Sequence, residues 1–349
     1  MVGEGTGACR GNYGENVPQK ACLYRPARVP YGFAGSAEPI FGRCAHMVAA
    51  VGISVVDIIL VMDGFKEGEG SYHCDRLITE GGGMAATAVC AAARLGSETR
   101  LFSRVGDDVH GRFVVEGLRA FGVDTSGVVT VPGRTTMTSI VFVDRNTGEK
   151  QFYSEFEKSA YIEPVEADLS PLEKMDVLLV DGHWMDQALR SARWARERGV
   201  PVVADFKYMY DGLAEVFPYV DYLIIPLFFA AEITGERSIE RILETLESRF
   251  WGTSVVTLGG EGGAYLSDGA LRRYRTFPVA CVDSTGAGDA FHGAFCHFLS
   301  RGADLSRCLE LSSAVGALNC RALGGRAALP TPEELSAFLT LNGTDPRLP

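Results

Sequence analysis

The string Asp283-Ser284-Thr285-Gly286-Ala287-Gly288-Asp289 sets a carboxylate, Asp289, at the lip of a glycine-rich turn. After it, Phe291, Phe295, Phe298 and Leu299 recur on one face at helical spacing, so the turn opens directly into a helix. Gly286 and Gly288 carry no Cβ, which lets the backbone N–H groups of Gly286, Ala287 and Gly288 converge and a ligand come close. The helix start adds unpaired donors and the positive end of its dipole, a combination that binds an anion such as phosphate. An acid is out of place beside a bound anion unless it has work there. Asp289 is therefore a candidate for removing a proton. The plainer alternative is that Asp289 caps the helix and the glycines form only a tight connection.

Other stretches carry similar signals. Glu80-Gly81-Gly82-Gly83 feeds Met84-Ala85-Ala86-Thr87-Ala88-Val89-Cys90-Ala91-Ala92-Ala93-Arg94-Leu95-Gly96, a glycine turn followed by a helix of small residues. Such a helix packs closely, and its glycines expose donors to a polyhydroxylated ligand. Asp57 interrupts an apolar run at what reads as the end of the first strand, and its carboxylate could accept from two adjacent hydroxyls. Val256-Thr257-Leu258-Gly259-Gly260-Glu261-Gly262-Gly263 is a strand followed by a glycine loop. His292 and His297 are five residues apart, a poor match to the i,i+4 pairing of helical metal ligands.

The elements that must hold these residues alternate. Apolar β-branched runs at Leu101–Val105, Val177–Val180, Val200–Ala204, Tyr222–Ile225 and Ser254–Leu258 are separated by helical stretches such as Phe113–Phe121, Gln187–Arg198 and Ile239–Phe250. This predicts an α/β fold, a doubly wound, mostly parallel sheet with helices on both faces. Two segments, 57–79 and 134–157, instead read as extended strands with polar alternation, the second turning at Asn146-Thr147-Gly148, and would pair into a small separate sheet. Residues 1–46 lack either hydrophobic period and read as a disordered extension, with the folded domain at 47–340 and a tail at 341–349.

Composition narrows the function. With 349 residues, 46% hydrophobic and 22% charged, the chain has an ample core. A net charge of −11 argues against nonspecific binding to nucleic acid or an anionic membrane. The longest apolar run, Val48 to Met62, contains Asp57 and falls short of the ~20 residues that cross a bilayer. Nine cysteines without a Cys-x-x-Cys pair suit free thiols and a cytoplasmic location.

The two glycine–helix motifs, the first continued by Arg104-Val105-Gly106-Asp107-Asp108, resemble the two signatures of the pfkB (ribokinase-like) carbohydrate kinases, in the right order and separation. The resemblance spans about residues 47–340. It implies transfer of the γ-phosphoryl group of ATP, with Mg2+, to a hydroxyl of a ketose or related sugar, with Asp289 as base. It also implies sugar contacts from Asp57, Gly82 and Gly83, with Thr87 where the family usually has asparagine. Thr257, Gly259 and Gly262 match the nucleotide loop. Asp283 and Thr285 match a site that holds K+ in some members. The small sheet would be a lid, and a homodimer through it is a further expectation.

The family's Asn-x-x-Glu, which helps hold Mg2+, is replaced by Pro226 and Phe229. The glycine–helix segment and the Gly324-Gly325-Arg326 end look most like ketohexokinase and sulfofructose kinase. Ser154 and His183 stand where a sulfosugar would need a basic pair. A nucleoside kinase, with Phe142, Phe152 and Tyr153 as its base slot, and a non-catalytic sugar or nucleotide sensor remain alternatives.

Overall fold

The first strand, β1 (Met47–Val51), is buried on both faces. Val48 and Ala50 enter one hydrophobic core, while Ala49 and Val51 enter the other. That pattern belongs to a parallel sheet covered on both sides. The computed structural model describes residues 46–349 apart from 148, 157, 158, 163, 164 and 251. The extension expected over 1–46 therefore lies outside the described residues except for His46.

The sequence run from Val48 to Asp57 is not one strand. It breaks after Val51, and a second strand, β2 (Val55–Met62), belongs to a different sheet. The cause is a buried carboxylate. Asp181 accepts from Ile53 N at 2.8 Å, taking up the amide at the break, and from Ala85 N at 3.0 Å in the first turn of the following helix. Asp57 is thus the third residue of β2 rather than the end of the first strand.

The chain continues through β3 (Arg76–Gly82), α1 (Met84–Arg94), β4 (Glu98–Gly106), α2 (Val109–Ala120) and β5 (Asp124–Val131). A hairpin of β6 (Thr138–Asp144) and β7 (Lys150–Glu155) follows; Gly148 of its expected turn lies outside the described residues. Next come β8 (Val177–Val180), α3 (Met185–Glu197), β9 (Val202–Ala204), α4 (Leu213–Val216), β10 (Tyr222–Pro226), α5 (Leu227–Thr234) and α6 (Ile239–Arg249). The last part is β11 (Thr253–Thr257), β12 (Gly263–Ser267), β13 (Ala270–Tyr274), α7 (Ala287–Ser300), α8 (Leu305–Asn319) and α9 (Pro332–Leu341).

Nine strands form one sheet in the order β13-β12-β11-β10-β9-β8-β1-β4-β5. It is parallel from β11 to β5, with β12 and β13 added antiparallel at one edge. The direction of winding reverses between β1 and β8, and a ligand crevice is expected outside the carboxyl ends of the strands there. Helices α1, α7 and α8 pack on one face, and α3 and α6 on the other. Among the described residues, no helix is long and apolar enough to cross a membrane. The tail after α9 is tied back, since Arg307 donates to the carbonyls of Asp345 and Arg347 at 2.6 and 2.8 Å.

The four remaining strands make a second sheet, ordered β3-β2-β6-β7. Its registers pair Asp57 with Glu80 and Ser139, and Val143 with Lys150. With side chains alternating along each strand, Asp57, Ile59, Glu80, Val141, Lys150 and Phe152 share one face. Ile59, Val141 and Val143 pack there on Leu323 of the main body. The sheet therefore lies over the loop before Gly324, with its charged residues turned inward.

The small residues of α1 let α7 approach closely. A Cβ on Gly293 would come 2.0 Å from Ala88 O. Gly293→Ala should therefore destabilise the fold by ~1–3 kcal/mol through overpacking, more than the ~1 kcal/mol that alanine adds to helix propensity. Denaturant unfolding measures this; an unchanged or raised midpoint would show that the two helices can separate freely.

Candidate active site

Helix α7 opens at Gly286, whose φ of 71° is left-handed, and a Cβ there would also meet Gly325 O at 2.6 Å. Among the described residues, the N–H groups of Gly286, Gly288 and Asp289 have no backbone acceptor, while Ala287 N donates to Ser284 O at 3.3 Å. The helix has no side-chain cap. Asp289 instead turns to Lys207, whose Nζ donates to Oδ1 at 2.8 Å. Among the described residues the Asp289 side chain makes no capping hydrogen bond to the helix start.

Lys207 and Asp205 follow β9 at the carboxyl edge of the sheet. Asp205 is 1% exposed, and neither of its oxygens has a hydrogen-bond donor among the described residues. Its Oδ2 lies 3.3 Å from His292 Nδ1. Burial pushes the Asp205 carboxyl up, against the pull of His292 and Lys207. Burial alone would lower the Lys207 ammonium, but Asp289 and Asp205 outweigh it and hold it above its ordinary value. His292 also faces Gly288 O at 2.7 Å and Ile224 O at 3.0 Å. That ring therefore fixes the first turn of α7 to β10. His297 lies apart, on Ser97 Oγ at 2.7 Å.

A cavity of about 730 Å3 runs along this edge. Thr257, Gly259 and Gly262, singled out in the sequence, line it together with Ala287, Gly288 and Lys207. Apolar groups including Phe277, Val279 and Ala317 line it as well. Asp205 is on the wall too. Pro226 borders it as the last residue of β10, whereas Phe229 is fully buried in the core and faces no ligand.

A second group of charges lies where the small sheet meets the body. Asp57 is 8% exposed and sits so close to Gly82 that a Cβ there would be 1.9 Å from its Oδ2. Burial, then the neighbouring Glu80 charge, pushes the Asp57 carboxyl up to about 7, with Arg326 opposing and Asp289 and Asp283 adding repulsion. The two aspartates expected to contact substrate thus share one electrostatic neighbourhood. Gly83 is the residue before α1, and Thr87 is 1% exposed, one turn further in. Thr87 Oγ1 accepts from Arg326 Nε at 3.1 Å, and Arg326 Nη2 donates to Gly82 O at 2.7 Å. Glu80 accepts from Gly325 N. Asp283 and Thr285 face Lys150 of β7, at 2.5 Å from Asp283 Oδ1 and 2.8 Å from Thr285 Oγ1.

A model of the pfkB carbohydrate kinases matches residues 45–332. The chain belongs to that family. It is 30% identical to an ATP-dependent ribose-1-phosphate kinase from Halopiger xanaduensis, over 81% of this chain and 95% of that one. A ribokinase from Bacillus subtilis is 23% identical over 84% of this chain and 99% of its own length. Among solved structures, a candidate ribokinase from Agrobacterium tumefaciens superposes with a TM-score of 0.81 at 27% identity, covering 86% of this chain and all of that one. The pfkB fold, with its large mainly parallel sheet and small separate sheet, is the ribokinase-like one. The class of activity is phosphotransfer to an alcohol group of a sugar or nucleoside.

Several roles at this site were not assigned from the sequence. Asp205 and Lys207 stand after a short parallel strand, and that position could have flagged them. Glu80 and Lys150 carry no spacing signal, because they reach the site through the packing of the second sheet, whereas Arg326, in the Gly324-Gly325-Arg326 stretch noted in the sequence, comes from the loop before α9. Of the aromatic residues expected to form a base slot, Phe142 and Tyr153 meet edge-to-face at 5.6 Å on the outer face. Only Phe152 is on the inner face, 58% exposed. Ser154 Oγ bonds Ser139 Oγ at 2.8 Å, and His183 N bonds Asp181 Oδ1 at 3.0 Å.

The Asp57 environment has a measurable cost. The folded protein keeps this proton up to a pH of about 7, whereas the unfolded chain releases it near 3.8. The stability tied to the proton is complete below the unfolded value and is lost as pH rises through about 7. Asp57→Asn avoids that loss, so the variant should gain on the wild type between pH 4 and pH 8, by up to about 4 kcal/mol at ~1.4 kcal/mol per pKa unit. Unfolding at both pH values cancels any constant effect of the substitution; a difference that does not change with pH would refute the assigned environment.

Proposed function

We propose that this chain transfers the γ-phosphoryl group of ATP to a hydroxyl of a monosaccharide held between Asp57 and Asp289. The observation that carries the reading is Asp289 itself, a carboxylate at an amide-lined helix start with one oxygen held by Lys207. Among the described contacts its Oδ2 is left free to accept the proton of an attacking hydroxyl. The N–H groups of Gly286, Gly288 and Asp289, with the helix dipole, would stabilise charge on the transferring group. Lys207 lines the cavity beside them and would neutralise phosphate charge. Ala287 contributes less, because its N–H already has an acceptor.

The cavity would take ATP, with its phosphates toward Gly288 and its base toward the apolar Phe277, Val279 and Ala317, beside the Thr257, Gly259 and Gly262 loop that also lines it. Mg2+ usually takes one or two carboxylates plus substrate phosphates and water. Asp205, a buried carboxylate on the cavity wall with no hydrogen-bond donor among the described residues and with His292 beside it, suits that role in place of the missing Asn-x-x-Glu. Among the described residues no cluster of three His, Cys, Asp or Glu side chains forms a metal cage. Bound there, Mg2+ would neutralise the nucleotide phosphates.

On the sugar side, Asp57 accepts from two hydroxyls once ionised, beside the backbone of Gly82 and Gly83. The contact expected of Thr87 passes to Arg326, whose guanidinium covers the threonine hydroxyl. Phe152, exposed on the same face, supports a nucleoside as the alternative acceptor because a base could stack on it.

An ADP-release assay over aldoses, ketoses, sugar acids and nucleosides tests this. Turnover is expected with a monosaccharide. Asp289→Asn should bind ATP as before yet lose a factor of about 10²–10⁴ in kcat. Near-normal turnover in the variant would remove Asp289 from the reaction, and acceptor-independent behaviour across the whole panel would point to a sensor.

A further inference from the structure

We propose that the ammonium group of Lys150, carried by the lid, is the built-in monovalent cation of the phosphate-binding turn and positions that turn for catalysis. Lys150 is the first residue of β7 and lies on the inner face of the lid. Its Nζ is 2.5 Å from Asp283 Oδ1, 2.8 Å from Thr285 Oγ1 and 3.2 Å from Ser284 Oγ. Three oxygens from consecutive residues therefore converge on one cationic nitrogen. The Asp283 side chain is fully buried and that of Lys150 is 13% exposed, so the pair is largely shielded from water.

The contact lies at a junction. Asp283 Oδ1 also accepts from Thr285 N at 2.9 Å and Thr285 Oγ1 at 2.8 Å, which shapes the turn leading to Gly286. Its Oδ2 accepts from Gly324 N at 2.9 Å, which anchors the loop carrying Arg326. One carboxylate thus sets both the amide cradle and the sugar-side guanidinium. Without a counter-cation it would be a buried, uncompensated negative charge beside an incoming phosphate. Lys150 supplies that cation only when the lid lies against the body.

Potassium does not fit alongside it. The ammonium nitrogen already occupies hydrogen-bonding positions on Asp283 and Thr285, the residues that the family resemblance matches to a K+ site. The chain has therefore replaced an exchangeable ion with a tethered one, and sealing of the lid is coupled to assembly of the cradle. As a statement about catalysis this rests on the kinase reading; as a cation site it does not.

Lys150→Met keeps most of the side chain's length, ending one atom short, and removes its charge. With choline as the sole monovalent cation, the variant should lose ~10–100-fold in kcat, the scale expected when reacting groups are misplaced by about an ångström. Adding K+ or NH4+ at constant ionic strength should restore most of it, while wild-type turnover should not respond. Thermal melting gives a readout independent of activity: K+ or NH4+ should raise the melting temperature of the variant relative to choline and leave the wild type unmoved. Wild-type activation by K+, or a variant whose melting is indifferent to these ions, would overturn the proposal. If neither protein turns over any acceptor while the variant still melts higher in K+, the kinase reading fails and the cation site stands.

Discussion

The ion pair between Lys207 and Asp289, 2.8 Å long, allows a carboxylate to stand at a helix start suited to an anion. Phosphate chemistry with a general base faces a conflict, since the base and the phosphate repel. A cation fixed between them relieves it, and Lys207 is placed to do so from the carboxyl end of β9. The same pairing recurs across the site. Arg326 lies beside Asp57 and Glu80, and Lys150 beside Asp283. Each acid that could oppose phosphate binding has a nearby cation from a different element of the chain.

This dispersion of partners explains how the fold serves the reaction. The nine-stranded sheet supplies Asp205 and Lys207 at its carboxyl edge, and the close approach of α1 to α7 fixes the amide cradle relative to the Gly82 turn. The small sheet then brings Asp57, Glu80 and Lys150 down on one face. The low-dielectric space beneath it raises the cost of an unpaired charge, which is why Asp57 holds its proton to about pH 7 in this structure. A polyhydroxylated ligand that donates to both carboxylate oxygens would favour the ionised form. On the proposed reading, substrate binding and the charge state of Asp57 would therefore be linked.

Much of this was legible in the sequence because it depends on local chemistry. Gly286-Ala287-Gly288-Asp289 encodes a left-handed turn and a helix start within a few residues, and the strand at Val177–Val180 fell where expected. The alternation of apolar runs and helical periods gave the layered sheet. The break between β1 and β2 was not legible, since it is caused by Asp181, well over a hundred residues away. The partners of Lys150 and Arg326 were not legible for the same reason: they are set by tertiary packing, which has no periodic trace. Phe142, Phe152 and Tyr153 could be sorted only once the register of β6 and β7 fixed which face each side chain occupies.

The central claim is that a phosphoryl group leaves a nucleotide at the α7 turn and arrives on an acceptor hydroxyl beside Asp289. Following 31P resonances of MgATP with the wild-type protein and each candidate acceptor tests it most directly. The account predicts that loss of the γ-phosphate signal is matched by a new phosphomonoester resonance, with little inorganic phosphate. ATP consumption that yields only inorganic phosphate, or an unchanged spectrum with every sugar and nucleoside, would contradict it.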